Sequence, residues 1–216
     1  MSKEPGPVKR RYASPLRASQ ARATQARVVA AAARLFAERG YVATSIDAIA
    51  AAAGVSRMTV FSAVGGKPAL LRRAYEVAVR GDDEETPLGQ RPDARAILAL
   101  RDPAALLTAY AHVCVGIGER FAGLWEAIRA AAHSDAEARA LCEAIAGERR
   151  YGAGRVVAAV GALGGLRAGL DADAATDILW VLNDASLYDA LVVRRSWPVE
   201  RFDAWLAAAM RSQLLG

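Results

Sequence analysis

The sequence predicts an all-α protein. From about residue 22 onward, alanine, leucine and arginine dominate, and apolar residues recur at helical spacing. Strand-like alternation of β-branched residues is absent, and no hairpin signal separates the apolar segments. With 216 residues, of which 54% are hydrophobic and 24% charged, the chain is long enough to bury a substantial core. These observations favour a folded helical protein over a disordered one.

Composition also narrows the cellular setting. No apolar run reaches the roughly 18 residues that cross a bilayer, so no membrane span is expected. The basic N-terminus is not followed by an apolar block, and we therefore expect a cytoplasmic protein without a secretory signal. Cys114 and Cys142 lie in predicted helices without the spacing of metal ligands. We expect free thiols, no bound metal and no cofactor.

Charge is distributed unevenly along the chain. Residues 1–80 contain 14 Lys or Arg against 4 Asp or Glu, whereas residues 81–216 contain 14 against 19. The first part is therefore strongly basic and the second acidic. Such an asymmetry predicts that the N-terminal part contacts a polyanion, while the rest has another role.

The first 21 residues predict a flexible basic arm. They contain Pro5, Pro7 and Pro15 and show no helical period. The basic residues of this arm are Lys9, Arg10, Arg11 and Arg17. A contact between the arm and a nucleic-acid backbone is one interpretation, and a solvated tail is the other.

Residues 22–66 predict three helices in close succession. The first spans residues 22–39 and ends at Gly40. The second begins at the capping pair Thr44–Ser45 and ends at Gly54. The apolar positions of these two helices are Val28, Ala32, Leu35, Phe36, Ile46, Ile49, Ala50 and Ala53.

A short third helix begins at Ser56 and turns Val60 and Val64 inward. The glycines of residues 65–67 end it, and Pro68 opens a connecting helix over residues 67–80. An acidic segment with Gly and Pro follows, so we place the boundary to a second domain, residues 81–216, there. Helices of that domain are predicted near residues 93–100, 103–118, 120–133, 136–162, 172–194 and 198–215.

A helix that ends in Ala53-Gly54-Val55 and is followed by a Ser-capped short helix has the layout of a helix-turn-helix. The ordered stretch TSIDAIAAAAGVSRMTVFSAVGGKPALL, residues 44–71, after LFAERGY, residues 35–41, resembles the DNA-binding domain of TetR-type transcriptional regulators. The resemblance covers about residues 24–75. It implies three DNA-binding helices, a connecting helix and a second helical domain that binds a ligand and forms a homodimer.

The resemblance also assigns expected roles to residues of the motif. The positions that it implies for DNA binding are Thr44, Ser56, Arg57, Met58, Thr59, Phe61 and Lys67. Thr44 would cap the second helix and meet a phosphate, and Ser56 would cap the recognition helix. Arg57 would contact a base, since arginine can donate two hydrogen bonds to guanine. Lys67 would meet a phosphate at the N-terminus of the connecting helix.

Four positions depart from the family pattern, and the first is Met58, which stands where a glycine is common. Phe61 replaces a tyrosine and loses its hydroxyl, Ala63 replaces a phosphate-binding His or Tyr, and Gly66 replaces a polar residue. The motif therefore predicts fewer contacts with the DNA backbone than is usual for the family, and the basic arm could replace them.

In the second domain, polar and aromatic residues share helix faces at i, i+3 or i, i+4 spacing. The candidate effector-binding residues are Tyr110, Cys114, Trp125, Arg129, His133, Trp180 and Asn183. An ordinary core is the alternative interpretation for each. Apolar residues of the last two helices predict a dimer interface, with burial inside the chain as the alternative. They are Ile178, Leu179, Leu182, Leu191, Phe202, Trp205, Leu206, Ala209, Met210 and Leu214.

The sequence gives little support for catalysis, and we expect no enzyme. His112 and Cys114 are two residues apart, so they lie on different helix faces. His133-Ser134-Asp135 is better explained as a helix cap than as part of a triad, and the glycines of residues 161–169 follow no strand.

The expected function is that of a cytoplasmic, homodimeric transcriptional repressor, which a small apolar ligand releases from a palindromic operator. A regulator that activates, or that responds to no ligand, remains open. A small helical enzyme or ligand carrier with a basic face is the alternative from another class.

Overall fold

The computed structural model describes residues 15–81, 86 and 88–216. Within these ranges the chain is all-α, as predicted, apart from one isolated β-bridge between Leu166 and Leu215. The helices are α1 Pro15–Arg39, α2 Ile46–Ala53, α3 Arg57–Ala63, α4 Lys67–Arg80, α5 Pro92–Leu98, α6 Pro103–Ala132, α7 Ala136–Ala162, α8 Ala172–Leu182, α9 Ala185–Tyr188 and α10 Val199–Leu214. A 3₁₀ turn, Leu88–Gln90, precedes α5, and a π-helical turn, Asp189–Val193, continues α9.

Short acidic side chains determine where the helices of the second domain begin. Asp102 accepts hydrogen bonds from the backbone N–H groups of Ala104 and Ala105, at 3.0 and 3.3 Å. Asp135 and Asp171 cap α7 and α8 in the same way. These caps occupy N–H groups that a helix leaves without partners in its first turn, and a negative charge there also interacts favourably with the helix dipole.

The predicted apolar stripes of the first two helices are confirmed. Val28, Ala32, Leu35 and Phe36 on α1 are buried, and so are all four predicted apolar residues of α2. Together with α3 and α4 they form one core, which continues onto the C-terminal half of α6 through Phe121, Leu124, Trp125 and Ile128.

A second core fills the space between the N-terminal half of α6, the C-terminal half of α7, and α8 to α10. The 30-residue helix α6 therefore belongs to both cores. The sequence predicted two helices here, 103–118 and 120–133, and this was wrong. Gly118 lies inside one continuous helix. A Cβ at this position would come within 2.9 Å of the Tyr188 side chain, which explains why the residue is a glycine. This glycine allows α9 to pack closely and does not end a helix.

Two other helix boundaries differ from the prediction. α1 begins at Pro15, so residues 15–21 are helical and the predicted arm is at most the preceding residues. The predicted helix 172–194 is broken at Asn183 and Asp184, because the Asp184 carboxylate caps α9 by accepting from the Ser186 N–H at 2.8 Å.

No single helix of the described residues is long and apolar enough to cross a bilayer, although α2 and α3 pass that test together as a pair bent by 92°.

Candidate DNA-binding surface and effector cavity

The turn between α2 and α3 sets the angle of the helix-turn-helix. Gly54 ends α2 in the left-handed conformation, with φ of 65°, and its N–H bonds to carbonyl groups of the last turn of α2. Glycine adopts this conformation without the steric cost that a Cβ would add. The next helix can therefore leave at 92° to α2, as is usual for a helix-turn-helix.

Ser56 caps α3, as the sequence predicted. Its Oγ accepts a hydrogen bond from the Thr59 N–H at 3.1 Å and lies 2.8 Å from Thr59 Oγ1. Val60 anchors the helix in the core. The opposite face presents its larger side chains to solvent, with Met58 76% exposed and Phe61 44% exposed.

Arg57 is the exposed cation of this face. Its Nη1 lies 2.9 Å from a carboxylate oxygen of Asp47 on α2, and its guanidinium lies 5.7 Å from the centre of the Phe61 ring. Both charged side chains of the pair are more than half exposed. Asp47, in the first turn of α2, was not predicted from the sequence as a partner of Arg57.

The predicted capping role of Thr44 was wrong, and its contact with a phosphate stays a prediction. Thr44 is 1% exposed, and its hydroxyl lies 2.8 Å from the Gly40 carbonyl oxygen and 3.1 Å from that of Leu35. It occupies carbonyl groups that are left free where α1 ends. Ser45 caps α2 instead, by accepting from the Ala48 N–H at 3.1 Å.

The beginning of α4 has no side-chain cap. Gly66 is its N-cap residue, and no side chain accepts from its first N–H groups. Lys67 lies beside this end, with its Nζ 4.4 Å from the centre of the Tyr41 ring and 3.4 Å from the Val42 carbonyl oxygen. Partial burial lowers the pKa of Lys67 from its usual value, although the charge of Asp135 opposes this shift.

Of the predicted basic arm, Lys9, Arg10 and Arg11 lie outside the described residues. Arg17 is exposed on the first turns of α1. A contact between the arm and DNA therefore stays a prediction.

The second domain contains a cavity of about 800 Å³ between α4, α5, α6 and α7. Tyr110, Cys114, Trp125 and Asn183, four of the predicted effector-binding residues, line it. They come together because α6 passes along the whole cavity and the break after α8 brings Asn183 to its end. Burial raises the pKa of the Cys114 thiol to about 12, so this thiol stays protonated.

The other three predicted residues do not line the cavity. Arg129 is exposed and pairs with Glu126 on its own helix. His133 is exposed beyond the last residue of α6, with Nδ1 3.0 Å from the Arg129 carbonyl oxygen. Trp180 faces α7 and donates its indole N–H to the Ala146 carbonyl oxygen at 3.2 Å. Spacing along one helix did not reveal which face meets the cavity.

An arginine that the sequence did not single out organises the end of the cavity. Arg149 donates to Asn183 Oδ1 at 3.1 Å, to Asp184 Oδ2 at 2.7 Å and to the Trp180 carbonyl oxygen at 2.7 Å. Asp184 also accepts from the indole N–H of Trp125 at 3.0 Å. Burial alone would raise the pKa of Asp184, but the charge of Arg149 and these hydrogen bonds outweigh it and keep the pKa low.

One cluster joins the cavity to α4. Glu148 on α7 accepts from Arg72 at 3.0 Å and from the Tyr75 hydroxyl at 2.8 Å, and all three residues line the cavity. Burial, and then the hydrogen bond to Glu148, raise the pKa of Tyr75. Since α4 directly follows α3, the cluster links the cavity wall to the helix-turn-helix.

Residues 28–74 match the family model of the bacterial regulatory proteins of the tetR family. The match begins in α1, covers the turn at Gly54 and the whole of α3, and ends in α4. The resemblance predicted from residues 44–71 is thereby confirmed.

The TetR-like architecture extends beyond this module. A protein from Saccharomonospora viridis, solved in complex with choline, is 19% identical and has a TM-score of 0.69 over 90% of this chain and 99% of its own. NalD, the secondary repressor of the MexAB-OprM multidrug efflux pump in Pseudomonas aeruginosa, is 21% identical, with a TM-score of 0.64 over 90% and 97%. SmeT, solved with triclosan, is 18% identical, with a TM-score of 0.67 over 90% and 92%.

At such low identities these structures establish the shared fold. No curated protein is similar enough in sequence to count as a relative of this chain.

In this TetR-like fold, the residues predicted for the dimer interface divide into two groups. Those buried in the core of the chain itself are Leu179, Phe202, Leu206, Met210 and Leu214. For this group burial inside the chain, and not dimerisation, explains the apolar side chain. Those only half-buried are Ile178, Leu182, Leu191, Trp205 and Ala209. Val181 on α8, which was not predicted, is 56% exposed.

Proposed function

We propose that this protein is a sequence-specific DNA-binding transcriptional regulator of the cytoplasm, a homodimeric repressor that a small-molecule effector releases from a palindromic operator. The exposed face of α3 carries the proposal. Arg57, Met58 and Phe61 stand in solvent on a helix whose other side is buried. Folding alone gives no reason to expose a methionine and a phenylalanine side by side, whereas contact with thymine methyl groups and sugars in a major groove does.

A dimer would place two copies of α3 about one helical turn of DNA apart, or a multiple of it, and so match a palindrome. The half-buried residues of α8 and α10, together with Val181, would supply the partner surface. Apolar side chains that one chain covers only in part favour such a contact.

Helix α4 would transmit the effector signal. Its Arg72 and Tyr75 line the cavity and bond to Glu148, while its N-terminus lies beside the DNA-binding surface. An effector that fits the cavity better in one position of α4 than in another would shift the population between dimers that fit the operator and dimers that do not. NalD, a repressor, and SmeT, solved with triclosan, are consistent with this kind of function.

Arg57→Ala tests the proposal. We expect a loss of about 1–3 kcal/mol in binding free energy on the specific site and a much smaller loss on random sequence, because the arginine would bond to a base. Fluorescence anisotropy measures both, with a labelled duplex of the gene's own upstream region and a scrambled duplex of equal length. Arg34→Ala is the matched control, since Arg34 is exposed on α1 and its one ion pair among the described residues is with Glu38.

If Arg57→Ala lost the same binding free energy on both duplexes, Arg57 would contact a phosphate and not a base. A monomeric protein that binds neither duplex at low salt would contradict the proposal and favour the helical enzyme or carrier. Analytical ultracentrifugation of the same samples provides the oligomeric state.

A further inference from the structure

The charged residues of the cavity wall indicate the chemical class of its ligand. Among the described residues, six arginines line it, against three acidic residues, Glu76, Asp93 and Glu148. The rest of the wall is largely apolar and aromatic. Its members include Val79, Ile97, Val113, Ile117, Phe121 and Trp125. A pocket of this kind binds a mainly apolar body and fixes it through a few polar groups.

Two of the three carboxylates are already occupied. Glu76 forms ion pairs with Arg72, Arg73 and Arg80 at 3.0–3.5 Å. Burial alone would raise the pKa of Glu76, but the hydrogen bonds and charges of these arginines outweigh it and keep the pKa low. Glu148 accepts from Arg72 and Tyr75. At these two carboxylates a cationic ligand would have to displace the arginine and tyrosine partners.

Two of the lining arginines, unlike those paired with Glu76 and Glu148, bond to backbone carbonyl groups. Arg155 donates through Nη1 to the Gly89 carbonyl oxygen at 3.0 Å, and Arg120 donates through Nε to the Ala78 carbonyl oxygen at 2.8 Å. Neither forms an ion pair with a carboxylate within the described part of the chain. A guanidinium has five N–H donors, so both retain donors that a carbonyl group does not neutralise.

Arg155 borders an exposed part of the cavity lining, which we take as an entrance. It lies four residues after Tyr151 on α7 and so shares a helix face with it, and Tyr151, which also lines the cavity, is 72% exposed. Val156, next along the helix, is buried in the second core. The entrance therefore offers an arginine to a polar head group, and the interior offers apolar walls to a tail.

We propose that the effector is an amphipathic anion, a carboxylate with an apolar body, whose carboxylate binds Arg155 while its body fills the cavity. This inference rests on the proposed function and assigns a chemical class to its effector. It also changes the expected ligand from a purely apolar molecule to one with an anionic end.

Three ligands of equal chain length test the inference: decanoate, decanol and decyltrimethylammonium, each below its micelle concentration. Isothermal titration calorimetry of the full chain without DNA should show decanoate binding about tenfold more tightly than decanol, the ratio expected for one charge-assisted hydrogen-bonded pair. Decyltrimethylammonium should bind more weakly than decanol, because the lining carries an excess of arginine.

Arg155→Gln should abolish the preference for decanoate over decanol and leave decanol binding unchanged. The glutamine keeps an amide donor on a shorter side chain and removes the charge. Arg155→Lys retains the charge and should keep most of the preference. Arg150→Gln is the matched control, because Arg150 is exposed on the same helix, pairs with Asp173 and Asp177, and does not line the cavity.

Absence of decanoate binding, equal binding of decanoate and decanol, or tighter binding of decyltrimethylammonium would overturn the inference. An Arg155→Gln protein that keeps the full preference would overturn the role of Arg155. Operator binding by anisotropy is measured on the same preparations without any ligand. A protein that binds its operator but shows no preference for decanoate would refute the effector class and leave the proposed function standing.

Discussion

Helices α3 and α10 use the same residue types for opposite purposes. Met58 and Phe61 on α3 are 76% and 44% exposed, whereas Met210 and Phe202 on α10 are 0% and 2% exposed. Both helices are amphipathic in sequence, and both have one face in a core. The difference shows that α10 buries its large apolar side chains in the core, whereas α3 buries only Val60 and leaves its large side chains exposed, where the proposed DNA contact would use them.

Two Arg–Asp pairs repeat the contrast in charged residues. Arg57 and Asp47 are 2.9 Å apart, with 59% and 67% of their side chains exposed. Arg149 and Asp184 are 2.7 Å apart, with 16% and 25% exposed. An exposed pair contributes little to stability, whereas breaking an enclosed pair leaves a charge without a partner. The first pair is therefore available to a ligand, and the second stabilises the fold.

The largest expected effect separates the two phenylalanines. Phe202→Ala should lower the free energy of unfolding by about 3–5 kcal/mol, because it leaves a cavity beside Tyr188 and Trp205. Phe61→Ala should change it by no more than about 0.5 kcal/mol. Urea denaturation followed by circular dichroism measures both. Similar losses for the two variants would contradict the comparison.

A smaller effect separates the two aspartates. Asp184→Asn should cost about 1–3 kcal/mol of stability, since Arg149 loses a charged acceptor. The folded-state pKa of Asp184 is low, so its contribution is complete above the pKa of an unfolded aspartate and is lost as the pH falls through the folded value. The difference between wild type and Asp184→Asn should thus be full near neutrality and shrink below about pH 4.

Asp47→Asn is the control for this measurement. Its stability should match that of wild type within about 0.5 kcal/mol at every pH, because the Arg57–Asp47 pair is exposed. If the difference between wild type and Asp184→Asn did not depend on pH, the carboxylate charge would not be what stabilises the second domain.

The helix-turn-helix was predictable from sequence because its signals are local. Ser56, Gly54 and the buried face of α2 act within a few residues, and the structure confirms each of them. The predicted capping role of Thr44 was wrong because the partners of its hydroxyl, the carbonyls of Leu35 and Gly40, belong to the end of a different helix. The i, i+4 spacing of apolar residues does not show whether Thr44 or Ser45 turns its hydroxyl toward the core.

The cavity of the second domain was only partly predictable for the same physical reason. Its lining comes from α4 to α7, from residues 88–91 and from the segment after α8, and helical spacing on one helix does not show which face meets the others. Arg149 and Arg155 escaped notice because an arginine on a long helix is usually solvated. Only the packing of α7 against α8 and residues 88–90 gives these arginines partners.

The smallest expected effect concerns Asp47 on DNA. Its carboxylate lies beside Arg57 on the proposed DNA-binding surface, where it would repel phosphates and hold the guanidinium. Asp47→Asn should therefore strengthen binding to a scrambled duplex by up to about fivefold, the equivalent of about 1 kcal/mol for an exposed pair. The slope of log affinity against log salt should become steeper by about one.

Fluorescence anisotropy over a salt series measures this slope. Glu38→Gln, which removes a carboxylate from the exposed Arg34–Glu38 pair on α1, serves as the matched control and should leave the slope unchanged. An unchanged slope for Asp47→Asn would mean that Asp47 does not face the DNA. A steeper slope together with weaker discrimination between specific and scrambled duplexes would make Asp47 the residue that directs Arg57 toward bases and away from phosphates.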